Sequence, residues 1–263
     1  MSLIVSLKGG MGNQMYQYSM ARANAIRLGT DIKIDLACFR HYQHPYSLDQ
    51  WAGIKFALTD EAGLYEVRET IEGGSYDSRI VSQIRDGCRL TGYWVTEKYF
   101  SDIATLLREE FVPKQLTPRG REVEQQIAET PNSVFMGIRR GDHVDTTMGL
   151  PMDYFPRAAD IIAVRHPDPH FFIFSDESEW VKDNLRLSYP MTVASTHEVG
   201  VKDGLEAQDM WLMSRCNHAV NSLSSFSWWG AWLNPNIGTV IAPQAWIRDH
   251  GNADVYPEGW TTL

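Results

Sequence analysis

VFMGIRRGD (residues 134–142), FFIFSD (171–176) and HAVNSLSSFS (218–227) share one form: a short apolar run that stops on a polar cluster. The runs Val134–Ile138, Phe171–Phe174 and His218–Ser222 read as buried strands, and their polar tips are Arg139 to Asp142, Ser175-Asp176, and Ser222 to Ser227. Between them, Tyr154–Val164, Glu177–Leu187 and Leu205–Arg215 carry helical periodicity. A Trp228–Leu233 helix and a Thr239–Ala242 strand follow. Alternating short strands and helices predict a parallel sheet covered on both faces. Ligands of such sheets bind beyond the carboxyl ends of the strands. If these strands share one sheet, the three polar clusters meet in one crevice.

The same rhythm extends to the amino-terminal half. Leu3–Leu7 is a buried strand, Asn13–Leu28 a helix that Gly29 can stop, and Ile32, Ile34 and Leu36 alternate as a second strand. Gly9, Gly10 and Gly12 make a tight turn between the first strand and the helix. The dinucleotide fingerprint fails there, because Met15 stands where a glycine is needed for close helix packing. The turn is either a bare strand–helix connection or one that lets a substrate approach the backbone closely, with the side-chain amides of Asn13 and Gln14 binding sugar hydroxyls. Residues 40–110 read as mixed, with Tyr93–Phe100 and a helical Asp102–Glu110 the clearest parts. Pro113–Asn132 is polar and proline-rich, which marks a domain boundary. The expected division is 1–125 and 126–263, with a last helix that can return to the first domain.

Bulk properties narrow the function. The chain has 263 residues and a net charge of −9, so a general nucleic-acid surface is excluded and positive charge for a phosphate must be local. Cys38, Cys88 and Cys216 are widely spaced, which argues against a disulfide framework or a zinc site and fits a reducing compartment. No apolar run reaches the length of a membrane span, and MSLIVSLKGG lacks the basic start of a signal peptide. The expectation is a cytoplasmic protein, able to visit the inner face of a membrane to meet its acceptor.

Arg139 and Arg140 read either as a structural ion pair at a strand end or as the local positive charge that a departing diphosphate needs, which Arg can hold without a metal. Neighbouring residues on a strand point to opposite faces, so one of the pair meets the phosphate and the other braces the loop or pairs with Asp142. Ser224, Ser225, Phe226 and Ser227 open a helix, where backbone N–H groups favour an anion. An ordinary helix cap is the alternative for Ser224. Trp228, Trp229 and Trp232 read as core. HPDPH (166–170) reads as a turn, although His166, Asp168 and His170 could suggest ligands. No D-x-D stands at a strand end, so no metal site for a diphosphate is expected.

Several segments also resemble a known family. GGMGNQMYQYSMARANA (9–25), GYWVTEKYF (92–100), IRRGDH (138–143), FFIFSDE (171–177), DMWLMSRCNHAVNSLSSFSWWGAWLNPN (209–236) and VIAPQAW (240–246) are similar, in order, to the motifs of the bacterial α-1,2-fucosyltransferases. The resemblance implies a GT-B-like α/β fold of two Rossmann-like parallel-sheet domains facing a cleft. It implies an inverting transfer of fucose from GDP-β-L-fucose to the 2-hydroxyl of a terminal β-galactoside, with GDP-fucose as co-substrate and no cofactor or metal. By position, Arg139 would hold the β-phosphate with Arg140 in support, and Asp209 would read guanine. Asp176 would order the nucleotide loop, and Ser224, Ser225 and Phe226 would line the diphosphate. Gly12, Asn13 and Gln14 would face the sugars. Asp142 and His143 are candidates for the general base, with Asp145 close by. Three departures stand out: Gly137 where the family has His, Leu223 where it has Asn, and His143 where it has Tyr. They motivate a second reading, a related transferase using another nucleotide sugar. A third reading is a non-catalytic glycan-binding homologue.

Overall fold

The computed structural model describes residues 1–41, 44–69, 75–141, 149–196, 204–246 and 254–263. The chain forms two compact units: Met1–Val112 with His250–Pro257, and Pro113–Asp249 with Glu258–Leu263. The division therefore falls at the start of the proline-rich stretch rather than at 125/126. The cause is local. Gln208 accepts from the Thr117 N–H (2.6 Å), tying the start of the next helix to the second unit. The described part of the 250–257 segment that joins the first unit is a turn, not a helix. There Asp254 accepts from the Tyr76 N–H and pairs with Lys98.

Unit 1 contains β1 (Ser2–Ser6), α1 (Met11–Leu28), β2 (Asp31–Asp35), β3 (Ala57–Leu58), β4 (Tyr65–Arg68), α2 (Ser78–Gln83), β5 (Cys88–Thr91) and α3 (Ala104–Glu110). Its five strands are all parallel, in the order β3-β2-β1-β5-β4. Gly9 has φ 83°, a left-handed turn that glycine adopts without strain. Gly29 ends α1 with φ 65°. Glu110, the last residue of α3, is 3% exposed and clasps α1. It accepts from Tyr18 Oη (2.7 Å) and from Arg22 Nε and Nη2 (2.9 and 2.7 Å). Burial pushes the Tyr18 phenol well above its ordinary range.

Unit 2 contains α4 (Pro118–Ala128), β6 (Ser133–Ile138), α5 (Tyr154–Arg165), β7 (His170–Ser175), α6 (Ser178–Asn184), β8 (Met191–Val193), α7 (Glu206–Met213), β9 (His218–Val220), α8 (Ser225–Trp232), β10 (Val240–Ala242) and β11 (Thr261–Thr262). The sheet is wholly parallel, in the order β11-β10-β9-β6-β7-β8. Strand alternation sorts the core into two layers. Val134, Met136 and Ile138 face α5 and α6, whereas Phe135, Phe172, Phe174 and Ala219 face α4, α7 and α8. Trp228, Trp229 and Trp232 are core, at 0, 0 and 3% exposure.

HPDPH forms a turn in which Asp168 has φ 51°. Its two histidines part company. His170 bonds Thr192, while His166 stacks on His218 at 3.7 Å and bonds Thr239. His218 Nδ1 accepts from the Thr239 N–H (3.1 Å), so that nitrogen carries no proton. Burial, with a contribution from His166, pushes the His218 imidazole down to about 4. The unfolded chain therefore takes up a proton that the folded chain refuses between about pH 6.5 and 4. Stability from this residue is fully present above pH 6.5 and is lost as pH falls through that window. Urea unfolding at pH 7 and pH 5 should show this loss, and the His218→Asn variant should show a smaller difference between the two.

Candidate functional site

The chain runs outward from β6 through β7 to β8, returns to the centre, and runs out again from β9 through β10 to β11. The strand order thus reverses between β6 and β9, where a crevice opens at the carboxyl ends. Arg139 follows β6, Asp176 follows the neighbouring β7, and the serine cluster follows β9. The structure brings all three polar tips to one edge of one sheet.

The two arginines divide their work. Arg139 pairs with Asp176 (2.8 Å) and its side chain stays about one-third exposed. Asp176 also accepts from the Arg140 N–H through its other oxygen (3.0 Å), so one carboxylate fixes both the backbone and the side chain of this corner. Arg140 turns away. Its guanidinium lies 3.4 Å over the Trp180 ring and pairs with Glu177 (3.0 Å). Stacking and pairing together immobilise its planar fork, and Arg140 is the brace while Arg139 is the more exposed of the two cations.

The amino end of α8 lies beside them. Ser224 is its cap, the hydroxyl oxygen accepting from the Phe226 N–H (3.3 Å). The Ser224 and Ser225 side chains are partly exposed at this end. The first N–H groups of a helix have no partner within it, so this end carries partial positive charge. Phe226 packs against the helical layer of the core. Close contact between helix and sheet explains Gly137. A Cβ there would lie 2.7 Å from the Ser227 Cβ, with no space for a side chain. Gly137→Ala should push α8 off β6, lowering stability by about 1–3 kcal/mol and reducing nucleotide affinity. Denaturant titration and calorimetric binding would test the pair of effects.

Asp209 is 5% exposed and accepts from the N–H (3.0 Å) and hydroxyl of Thr196, just past β8. Gln208 beside it donates to Thr196 Oγ1 (2.6 Å). Ser195 donates to the Ser175 carbonyl (3.1 Å) and accepts from its N–H (2.7 Å). Asp209 therefore holds the loop that borders the β7 end. Asp142, His143 and Asp145 lie outside the described residues. Among the described residues no three His, Cys, Asp or Glu side chains gather as a metal-ligating group.

In unit 1 the expectation for Gln14 fails. The side chain is fully buried and its amide is spent on backbone, donating to Gly9 O and Pro45 O and accepting from the Ser47 N–H, all at 2.9 Å. It fastens the 45–47 loop to the glycine turn. Gly12 is also buried in α1, and Asn13, partly exposed, folds against Gly9. The carboxyl ends of the neighbouring strands β1 and β5 carry residues not singled out from sequence. Lys8 Nζ sits 4.1 Å over the Tyr93 ring. Glu69 accepts from the consecutive N–H groups of Tyr93 and Trp94 (2.6 and 3.1 Å), and Trp94 has φ 57°. The signal available was GYWVTEKYF itself, whose glycine and aromatics end a strand too short to recognise.

With this geometry in hand, the comparisons are specific. A sequence profile described as glycosyl transferase family 11 matches residues 84–263. An α-1,2-colitosyltransferase of Escherichia coli is 30% identical over 292 aligned positions, covering 100% of this chain and 99% of its own. The chain belongs to glycosyltransferase family 11. Galactoside α-(1,2)-fucosyltransferase 2 of Pongo pygmaeus is 28% identical over 55% of the family 11 chain and 45% of its own length, so that match spans about half of each protein. Among solved structures, the NodZ α-1,6-fucosyltransferase soaked with GDP-fucose superposes with a TM-score of 0.54 at 14% identity, over 89% of this chain and 93% of that one. At that identity it supports the fold, which is GT-B-like with two parallel-sheet α/β units. No described helix of this family 11 protein is long and apolar enough to cross a membrane.

Proposed function

We propose that this family 11 glycosyltransferase moves a 6-deoxyhexose from its GDP-linked donor to the 2-hydroxyl of a terminal β-galactoside, with inversion and without a metal. The observation that carries this is the meeting of Arg139–Asp176 with the amino end of α8 at the β6/β9 reversal. A departing GDP develops negative charge on its β-phosphate. Arg139 and the α8 N–H groups offer fixed positive charge at that position before reaction begins. Ser224 and Ser225 add hydroxyl donors, Phe226 lines the same end, and Asp209 accepts from the guanine edge. Arg140 serves as the brace for the corner. The acceptor hydroxyl loses its proton to a base from the segment after Arg140, with Asp142 and His143 as the candidates. Asn13 is the acceptor-side residue kept from the glycine turn. Because protein groups supply the countercharge, activity should be undiminished in EDTA, and loss rescued by Mn²⁺ would contradict this.

The donor sugar is GDP-fucose in the first reading. A specific observation favours a second, colitose, which is fucose without its 3-hydroxyl. The α-1,2-colitosyltransferase aligns along the whole chain, and Gly137 and Leu223 remove two polar side chains from the donor end. A true donor stabilises the folded protein by mass action. The melting temperature should rise with GDP-fucose or GDP-colitose and less with GDP-mannose. Equal protection by all GDP-sugars would leave the reading without a sugar pocket and would overturn it.

A further inference from the structure

Asn221 lies just past β9 with its backbone held from two sides. Its N–H donates to the Ile241 carbonyl (2.8 Å) and its carbonyl accepts from Tyr154 Oη (2.9 Å). The residue is 1% exposed, yet among the described residues neither Oδ1 nor Nδ2 has a hydrogen-bond partner. Ser222 Oγ, 3% exposed, is in the same condition. An interior amide with no partner costs more than the bond it forgoes, and native proteins keep few of them. Those they keep call for a partner such as an ordered water, an ion or a ligand.

Register places this amide. Met136 pairs with Val220, so the next residues, Gly137 and Asn221, stand side by side. Ala219 belongs to the layer facing α7 and α8, and alternation sends the Asn221 side chain to that same side. This is the side on which a Cβ at Gly137 would strike Ser227 in the first turn of α8. The unpartnered amide therefore sits beneath the helix end that attracts an anion, next to a residue with no side chain and two residues before apolar Leu223. No hydrogen bond to a described residue holds its χ angles, so rotation toward that end breaks none of those bonds.

We infer that Asn221 is a donor-binding residue whose amide N–H is kept for the diphosphate of the nucleotide sugar. This deepens the reading of the site given above and rests on it for the identity of the base. The residue is unusual in what its removal should do. Asn221→Leu takes away a buried polar group that the ligand-free protein leaves unsatisfied, and puts an apolar side chain of the same branching in its place. The ligand-free fold should keep or gain stability while the diphosphate loses a donor.

The test titrates GDP and guanosine into wild type, Asn221→Leu and Asn221→Ala by calorimetry, with ligand-free melting measured alongside. The expected result is GDP affinity reduced about tenfold or more, guanosine affinity unchanged, and a ligand-free melting temperature for Asn221→Leu at or above wild type. Should Asn221→Leu not fold, Asn221→Ala carries the same comparison. GDP affinity within twofold of wild type, or equal losses for GDP and guanosine, would overturn the inference. UDP and uridine separate the two readings. If wild type binds UDP rather than GDP, and the variants lose UDP but not uridine, the guanine assignment falls and Asn221 stands. If wild type binds no nucleoside diphosphate, both fall.

Discussion

Arg139→Ala should cut turnover by about 100-fold or more, because a donor aimed at developing charge in such a site contributes roughly 3–4 kcal/mol. The pairing with Asp176 explains why the effect belongs to Arg139 rather than to Arg140. Asp176 holds the Arg139 guanidinium at 2.8 Å and the Arg140 N–H at 3.0 Å, so the more exposed cation is in place before a ligand arrives. Arg140 is committed to Glu177 and the Trp180 ring. Steady-state rates under saturating donor and acceptor would read the loss in kcat. Arg139→Ala activity within threefold of wild type would remove the charge argument from the account.

The largest stability effect should come from Glu110→Ala. The carboxylate is buried and receives Tyr18 and both an Nε and an Nη2 bond from Arg22, joining the end of α3 to the middle of α1. Removing it leaves a half-buried guanidinium and a phenol without their acceptor. Breaking a buried pair from one side costs about 3–5 kcal/mol. For a unit of this size that corresponds to a fall in melting temperature of more than about 10 °C. Glu110→Gln keeps an acceptor oxygen and should lose less. Chemical denaturation followed by tryptophan fluorescence would compare them, and a loss under 1 kcal/mol for Glu110→Ala would show that the pair is dispensable.

The carboxyl-terminal unit was legible because its strands are long apolar runs that stop abruptly on charge. VFMGI and FFIFS are buried on both faces, so composition alone marks them, and their tips follow from the chain reversal of a parallel sheet. The amino-terminal unit hid β4 and β5. YEVR and CRLT have four residues each, and charged side chains alternate with the apolar ones. Nothing in that spacing says that β5 lies beside β1 near the middle of a sheet. The domain division was misplaced for a related reason. Pro113–Asn132 reads as a linker by composition, but Gln208 reaches Thr117 from 91 residues away and makes α4 part of the second unit.

The candidate site divides in the same way. Residue types that carry charge, Arg139 and Asp176, declare themselves at strand ends. Neutral amides do not, because whether they face a ligand or the backbone depends on tertiary packing. Gln14 looked like a sugar contact and proves to be a loop anchor with three backbone bonds. Asn221 looked like the tail of a strand and proves to be an interior amide with no partner among the described residues. Lys8 and Tyr93 meet only because β1 and β5 pair.

The most direct test of the central claim is product analysis. The purified chain would be incubated with GDP-fucose or GDP-colitose and a panel of β-galactosides, with GDP release measured and the product linkage and anomeric configuration determined. The account predicts acceptor-dependent GDP release with one of these donors and an α-1,2-linked product of inverted configuration, unaffected by EDTA. Release from a non-GDP donor, or a product retaining the donor's configuration, would contradict it.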